Sequence, residues 1–296
     1  MMAIPDAVAP EGRLALRQSP EPPLPEALLA IVRARTGVDF SVYRPDTIRR
    51  RIANRMLSLG IDTISAYCDL LLTRESEPLQ LLERLTIKVS RFYRHAPAFD
   101  ALRGGLLREL AAARGGAPVR IWSIGCGCGE EPYTLAMLLD EAGLSGVVHA
   151  SDIDPAALER AAAAIYPQAA LSELPAALAA RYLEPVPCRP GQFRVRDVLR
   201  GRVQLSRQDV TSLPAPADDE RFDLICCRNV LIYLQRHLHE PILESLRSRL
   251  SDGGLLCLGE AEGLPPTLAT AFEALPRQTH IFRAVGESRL RCRSTT

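Results

Sequence analysis

Residues 119 to 133 constrain the fold of this chain more than any other stretch. They read Val-Arg-Ile-Trp-Ser-Ile-Gly-Cys-Gly-Cys-Gly-Glu-Glu-Pro-Tyr, an apolar run followed by three alternating glycines and a segment of helical character. This order predicts a buried strand, a tight turn and the N-terminus of a helix. Gly125, Gly127 and Gly129 remove side chains where the backbone turns, so a ligand can lie directly against the main chain.

The charge beside the glycines indicates which ligand fits the turn. A dinucleotide-binding turn has the spacing G-x-G-x-x-G and offers free N–H groups to a diphosphate. Here the spacing is G-x-G-x-G, and Glu130 and Glu131 stand on the first turn of the predicted helix. Two carboxylates would repel a diphosphate but suit a ligand with amino and hydroxyl groups. S-adenosylmethionine, which carries a sulfonium and an α-amino group, is such a ligand.

A second predicted strand follows at residues 147 to 154 and ends in Asp152 and Asp154, before a predicted helix over residues 155 to 166. An acid at the end of such a strand is placed to accept hydrogen bonds from ribose hydroxyls. Together with the glycine turn, it favours a cofactor that contains a nucleoside. The alternative is that the glycines form only a tight turn and that Asp152 or Asp154 caps the helix.

Composition excludes several other classes of protein. The 296 residues carry a formal net charge of only +1, so no global field favours nucleic acid or a membrane surface. No apolar run reaches the roughly 18 residues of a membrane span, and we expect a cytoplasmic protein without membrane insertion. The eight cysteines form no C-x-x-C pairs, so we expect no metal site.

Residues 1–24 are rich in proline and predict a disordered tail, and residues 287–296 predict a loose C-terminus.

Apolar residues at helical spacing predict a small all-α domain over residues 25–95. Its second helix carries a cluster of arginines: Arg49, Arg50, Arg51 and Arg55. A solvated helix face is one interpretation of such a cluster. The other, which we favour because few acids stand between the arginines, is a docking surface for an acidic partner.

Alternating strands and helices predict an α/β domain over residues 96–286, with a mostly parallel sheet and its ligand at the carboxyl ends of the strands. Residues 192–195 and 203–206 predict a β-hairpin, within a small subdomain at about residues 188–208. Residues 272–275 and 280–284 predict a closing antiparallel pair.

Three motifs together resemble the chemotaxis receptor methyltransferases, which are CheR-type protein-glutamate O-methyltransferases. They are Gly-Cys-Gly-Glu-Glu-Pro-Tyr-Thr at 127–134, Ser-Asp-Ile-Asp at 151–154 and Cys-Arg-Asn-Val-Leu-Ile-Tyr at 227–233. Ser-Arg-Phe-Tyr-Arg at 90–94 fits the same pattern, and the resemblance extends from about residue 28 to residue 283. It implies a Rossmann-like methyltransferase domain preceded by a small all-α domain that contacts the receptor.

The resemblance also implies an activity. The family transfers the methyl group of S-adenosylmethionine to glutamate side chains on the cytoplasmic helices of methyl-accepting receptors, and S-adenosylhomocysteine is the other product. Arg94 and Tyr233 are the implied catalytic residues. The implied cofactor-binding residues are Lys88, Ser90, Arg94, Gly125, Gly127, Glu131, Asp152, Asp209, Val210, Arg228 and Asn229. Structural alternatives are an ion pair for Arg94, a core ring for Tyr233 and a turn cap for Asn229.

The expected chemistry is simple. A carboxylate is already a nucleophile at neutral pH, so attack on a sulfonium methyl group needs no strong general base. Catalysis then consists mainly of alignment, with Arg94 and Tyr233 orienting the incoming glutamate. His95, His149 and His280 have no carboxylate or serine partner in the sequence pattern, and we interpret them as structural.

Some residues depart from the family pattern. Lys88 replaces an amide that normally touches the cofactor, Ser90 also differs, and Asp209 stands where an Asn is usual. Glu184-Pro185-Val186-Pro187 replaces a glycine-rich turn before the predicted hairpin, so we expect no tight binding of a receptor tail pentapeptide.

The alternative function is a catalytically weak signalling module that binds the cofactor or a nucleotide and acts through a partner. A methyltransferase for RNA or small molecules has no supporting motif, and we expect a monomer.

Overall fold

The computed structural model describes residues 25–86, 90–216, 221–275 and 279–286. The tails predicted at 1–24 and 287–296 lie outside these ranges, as does Lys88. The α-helices are α1 (Glu26–Thr36), α2 (Pro45–Leu59), α3 (Ile64–Thr73), α4 (Glu77–Leu85), α5 (Ala96–Ala101), α6 (Leu107–Ala113), α7 (Glu130–Glu141), α8 (Pro155–Ala163), α9 (Ala176–Tyr182), α10 (Asp197–Arg200) and α11 (His239–Arg247). The strands are β1 (Val119–Ile124), β2 (Gly146–Asp152), β3 (Ile165–Pro167), β4 (Leu183–Pro185), β5 (Gln192–Val195), β6 (Val203–Arg207), β7 (Phe222–Cys227), β8 (Leu250–Leu258), β9 (Phe272–Ala274) and β10 (Ile281–Ala284).

Helices α1 to α4 pack around one apolar cluster, and the helical interpretation of this part of the chain is therefore confirmed. Ile48, Ile52 and Met56 recur at helical spacing on α2 and face this cluster. Thr63 caps α3, because its hydroxyl accepts a hydrogen bond from the main-chain N–H of Ala66. The division of the chain at residue 95 stays a prediction.

The large sheet has the strand order β6-β2-β1-β7-β8-β10-β9. Strands β6, β2, β1, β7 and β8 run parallel, and β10 is antiparallel to both β8 and β9. The Rossmann-like α/β prediction is confirmed, and so is the closing antiparallel pair. Every residue of β7 is buried, as expected for a central parallel strand covered on both faces.

The predicted hairpin is wrong. Strand β6 does not pair with β5 but lies at the edge of the large sheet, parallel to β2, with Val203 opposite Val148. Strand β5 instead lies between β3 and β4 in a separate three-stranded antiparallel sheet. The helix predicted over 155–166 is also too long, because Ala164 adopts a left-handed conformation (φ 54°) and Tyr166 belongs to β3.

None of the described helices is by itself long and apolar enough to cross a membrane. Helices α2 and α3 meet the length and composition requirements only as a pair, and that pair is bent by 77°.

Candidate functional site

A cleft opens at the carboxyl ends of the parallel strands, where the strand order reverses between β1 and β7. Open α/β sheets bind their ligands at such a switch point. The cleft consists of two adjoining hollows that share Gly125, Asn229 and Tyr233. We call them the Asp152 hollow and the Glu131 hollow, after a residue that lines each of them.

The cleft brings together all the predicted catalytic and cofactor-binding residues that the structure describes. The Glu131 hollow is lined by Ser90, Arg94, Gly125, Gly127, Glu131, Arg228, Asn229 and Tyr233. The Asp152 hollow is lined by Gly125, Asp152, Asp209, Val210, Asn229 and Tyr233. The binding and catalytic roles of these residues stay predictions.

Gly125 and Gly127 differ in what surrounds them. Both have positive φ angles, 65° and 55°. A Cβ atom on Gly125 would lie 2.5 Å from Cγ2 of Val230, so this glycine allows the turn to pack against the loop after β7. A Cβ atom on Gly127 would meet no atom within 4 Å. Because Gly127 lines the Glu131 hollow, its bare main chain leaves room for a ligand there.

The two acids at the end of β2 have different roles. Asp152 accepts hydrogen bonds from the N–H groups of Gly127 (2.8 Å) and Asp154 (2.9 Å), and it lines the cleft. Asp154 is buried, caps α8 through the N–H of Ala156, and accepts a hydrogen bond from the hydroxyl of Thr86. The helix-cap alternative is therefore correct for Asp154, whereas Asp152 ties the glycine turn to β2.

Only one of the two glutamates after the glycine turn faces the cleft. Glu131 accepts hydrogen bonds from the hydroxyl of Ser123 (2.7 Å) and from Arg228 (2.9 Å). Glu130 is buried away from both hollows, beside Tyr166, and burial raises its pKa to about 7. The expectation that both carboxylates meet the ligand is wrong for Glu130.

Arg228 is buried and connects three segments around the Glu131 hollow. Its guanidinium donates to Glu131 and, at 2.7 Å, to the main-chain carbonyl of Arg94, and it lies 4.9 Å from the ring centre of Phe99. One side chain thus links α7, the segment that carries Arg94 and the loop after β7. Arg228 also lines the Glu131 hollow, and its part in cofactor binding stays a prediction.

The loop after β7 is held by Glu262, which the sequence analysis missed. The carboxylate of Glu262 is buried and accepts four main-chain hydrogen bonds, from Asn229 (2.9 Å), Val230 (2.9 Å), Ile232 (3.3 Å) and Gly259 (2.7 Å). It thereby stabilises the left-handed conformation of Asn229 (φ 58°). The available signal was the Gly-Glu-Ala-Glu segment at 259–262, which ends in this residue.

Tyr233 lies at the border of the two hollows, and Arg94 lines the Glu131 hollow with it. Burial raises the pKa of Tyr233, and the positive charges of Arg94 and Arg51 only partly oppose this shift. The Tyr233 hydroxyl therefore stays protonated at neutral pH and can donate a hydrogen bond. Phe92 and Tyr93, next to Arg94, are buried in the core and fix the segment that carries it.

Asp209 follows β6 and caps a short 3-10 turn, Val210–Ser212. One of its carboxylate oxygens accepts hydrogen bonds from both the N–H and the hydroxyl of Thr211, at 2.9 and 2.7 Å. This turn places Asp209 and Val210 in the wall of the Asp152 hollow.

The arginines of α2 are not equivalent. Arg55 forms two hydrogen bonds to Glu77, whose side chain is fully buried, so the charge of Arg55 is engaged inside the helical domain. Arg49 pairs with Asp46 at the start of the helix. Arg50, Arg51 and Arg55 share a separate cationic hollow with Asn54, Ser58 and Arg84.

The interpretation of the histidines needs one correction. Nδ1 of His95 lies 3.0 Å from a carboxylate oxygen of Glu260, so His95 has an acidic neighbour that the sequence pattern did not show. Its pKa is nevertheless lowered, chiefly by burial. Within the described ranges, no three His, Cys, Asp or Glu residues are grouped as metal ligands.

Comparison with known proteins gives the family. Residues 26–86 match the model of the CheR methyltransferase all-alpha domain, and residues 88–281 match that of the CheR methyltransferase SAM binding domain. The chain belongs to the CheR methyltransferase family.

Similar proteins come from several bacteria. An uncharacterized 104.1 kDa protein of Rhodobacter capsulatus is 32% identical over 255 residues, which are 84% of this chain but only 26% of that protein. A chemotaxis protein methyltransferase of Borreliella burgdorferi is 28% identical over 246 residues, 79% of this chain and 86% of that protein. A probable biofilm formation methyltransferase, WspC, of Pseudomonas putida is 28% identical over 235 residues, 78% of this chain and 55% of that protein.

The chain is an S-adenosylmethionine-dependent methyltransferase, and the residues of the cleft fit this cofactor. The space beside Gly127 admits a ligand against bare main chain, Asp152 ends a parallel strand as a ribose-binding acid would, and the carboxylate of Glu131 is suited to an amino group. The helical domain also lines the cleft, through Tyr43 and Thr47 among others, which the sequence analysis missed.

Proposed function

We propose that this CheR-type enzyme transfers the methyl group of S-adenosylmethionine to glutamate side chains on the cytoplasmic helices of methyl-accepting chemoreceptors. The products are glutamate methyl esters and S-adenosylhomocysteine, and the reaction serves receptor adaptation. The names of the Borreliella and Pseudomonas relatives, which mention chemotaxis and biofilm formation, support a signalling role. We expect the enzyme to act in the cytoplasm as a monomer.

The observation that carries the proposal is the meeting of Arg94 and Tyr233 beside Glu131 in one hollow. A cation and a protonated hydroxyl are the groups that can orient a carboxylate. Arg51, on α2, also exerts a positive charge on Tyr233, but it lines the separate cationic hollow. A glutamate side chain that enters here would meet positive charge and a hydrogen-bond donor.

The residues of the cleft have different roles in the proposed reaction. When bound, the cofactor supplies an electrophilic methyl group on its sulfonium. Glu131, held by Ser123 and Arg228, binds the amino end of the cofactor, and Asp152 binds the ribose. A substrate glutamate is ionised at neutral pH, so the site needs no general base and contributes mainly alignment.

The arginine face of α2 is proposed to dock the receptor helices. Arg50 and Arg51 line the cationic hollow, and the positive charge of Arg51 also acts on Tyr233. Arg55 contributes less to docking, because its charge is already paired with Glu77. Acidic side chains on a receptor helix would complement the remaining charge.

The test is methyl transfer from labelled S-adenosylmethionine to a cytoplasmic fragment of a methyl-accepting receptor. We expect a base-labile methyl ester on glutamate. In Arg94→Ala, kcat/KM should fall on the order of 100-fold, as expected when alignment is lost. Arg181→Ala removes an exposed arginine that pairs with Asp140, and should leave the rate unchanged.

Two results would contradict the proposal. One is a base-stable product, which would indicate methylation of another group. The other is binding of S-adenosylmethionine without transfer to any receptor, which would favour a signalling module that acts through a partner. We also expect no tight binding of a receptor tail pentapeptide, and calorimetric titration of such a peptide tests this separately.

A further inference from the structure

Arg94, the proposed catalytic cation, lies between two residues with unusual backbone conformations. Tyr93 and His95 both have left-handed φ angles, 61° and 65°. Among the described residues other than glycine, six have a positive φ, and two of these six flank Arg94. A bulky residue in this conformation is strained, and the strain persists only where surrounding contacts enforce it. The contacts that enforce the turn around Arg94 therefore also set the direction of its side chain.

Thr134 holds the first left-handed residue. Its hydroxyl oxygen accepts a hydrogen bond from the main-chain N–H of Tyr93 (3.1 Å), and the hydroxyl donates one to the main-chain carbonyl of Glu130 (2.7 Å). Thr134 is fully buried, so water does not replace this acceptor when it is lost. Because Thr134 lies on α7, the helix that presents Glu131 to the cleft also holds the segment of Arg94.

Glu173 holds the second left-handed residue. It lies between β3 and α9, and one of its carboxylate oxygens accepts a hydrogen bond from the main-chain N–H of His95 (3.2 Å). The other oxygen pairs with the guanidinium of Arg91 (2.9 Å). One carboxylate thus contacts residues on both sides of Arg94. Arg228 adds a contact at the centre, through the main-chain carbonyl of Arg94 (2.7 Å).

We propose that Thr134 and Glu173 are positioning residues, which direct the side chain of Arg94 towards the substrate carboxylate by holding the two left-handed residues beside it. The inference rests on the proposed function, in which Arg94 orients the incoming glutamate. Neither side chain lines the Glu131 hollow, so both act through Arg94 and not on a ligand. Loss of either contact lets the turn relax and displaces Arg94. Methyl transfer then slows, while the affinity for the cofactor stays.

The first test measures kcat/KM for methyl transfer from S-adenosylmethionine to the cytoplasmic receptor fragment, in variants of the full chain. Thr134→Val keeps the shape of the side chain but removes the hydroxyl, and kcat/KM should fall on the order of tenfold, less than for loss of Arg94 itself. Thr134→Ser keeps the hydroxyl and should retain the wild-type value. Calorimetric titration of S-adenosylhomocysteine should give the wild-type affinity in both variants.

Glu173→Ala removes the second contact. Its kcat/KM should fall by about threefold, because water can partly replace a carboxylate that is 35% exposed. Glu184→Ala is the matched control. Glu184 lies on β4, pairs with Arg194 and is 37% exposed, and its loss should leave kcat/KM unchanged.

The second test repeats Thr134→Val and Glu173→Ala in the Arg94→Ala variant. Residues that act through Arg94 then have no guanidinium to position, so each double variant should have the kcat/KM of Arg94→Ala alone. Losses that multiply with that of Arg94→Ala would overturn the inference, as would wild-type kcat/KM in both folded single variants. If Thr134→Val does not fold, the same two outcomes in Glu173→Ala decide. Failure of the wild type to methylate the fragment would instead contradict the proposed function, on which the inference rests.

Discussion

Replacing Glu262 by glutamine tests whether one buried carboxylate holds the loop that carries Asn229 and Tyr233. One oxygen of Glu262 accepts hydrogen bonds from the N–H groups of Val230 and Ile232, and the other from those of Asn229 and Gly259. A glutamine keeps one oxygen and replaces the other with an NH₂ group. Two of the four main-chain N–H groups then face the NH₂ group, which cannot accept their hydrogen bonds, whichever way the amide is turned.

The size of the effect follows from these contacts. A buried donor that loses its acceptor costs about 1–3 kcal/mol. Two such donors would lower the free energy of unfolding by roughly 2–6 kcal/mol, and the lower end is expected because the loop can relax. Release of the loop also shifts Asn229 and Tyr233 within the cleft. Affinity for S-adenosylhomocysteine should therefore fall by about tenfold or more, as for other misplaced ligand contacts.

Urea unfolding and calorimetric titration measure the two effects separately. Glu260→Gln is the matched control. It removes the same negative charge two residues away, from a side chain that is 69% exposed. We expect the control to bind S-adenosylhomocysteine and to unfold almost as the wild type does. If Glu262→Gln shows wild-type stability and affinity, the loop is not held by this carboxylate, and the reasoning from its four hydrogen bonds is refuted.

Three further predictions concern other parts of the molecule. Gly127→Asn should abolish S-adenosylmethionine binding in calorimetry while circular dichroism shows an intact fold, because asparagine tolerates the left-handed backbone of Gly127 and its side chain occupies open space in the cleft. The pKa of Glu130 is raised from 4.5 to about 7, so the folded state binds the proton more tightly than the unfolded state does. Wild-type stability should therefore fall as the pH rises from about 4.5 to 7, and urea titrations of Glu130→Gln should not show this loss. Arg55→Ala removes the cation that pairs with the buried Glu77 and leaves it the hydrogen bond from the Tyr67 hydroxyl, so it should destabilise the protein by about 3 kcal/mol in urea unfolding, whereas Arg50→Ala should change stability little.

Local patterns predicted much of the fold correctly. The glycine turn joins a buried strand to a helix as its sequence indicates, since apolar runs, turn glycines and first-turn acids act over a few residues. The same holds for the helices of the N-terminal domain. The order of the motifs also identified most of the residues that line the cleft, and the roles of these residues stay predictions.

The hairpin error shows where local patterns stop. Strands β5 and β6 are close in sequence, and both resemble short half-buried strands. Alternation alone does not say which strand is the partner, because the choice depends on which sheet edge offers free hydrogen-bonding groups. Strand β6 pairs with the free edge of β2, and β5 pairs with β3 and β4 in a second sheet.

The sequence by itself determined most helices and strands, the family resemblance and the kind of ligand. These features depend on short motifs and on residues that are neighbours in the chain. Only the tertiary structure decided which charges face the cleft and which support it. Glu130 is buried while Glu131 lines the cleft, Arg55 is paired with Glu77, and Tyr43 lines the Asp152 hollow from the helical part of the chain. The physical reason is that burial and charge pairing are set by contacts between residues far apart in the chain, and no local spacing encodes them.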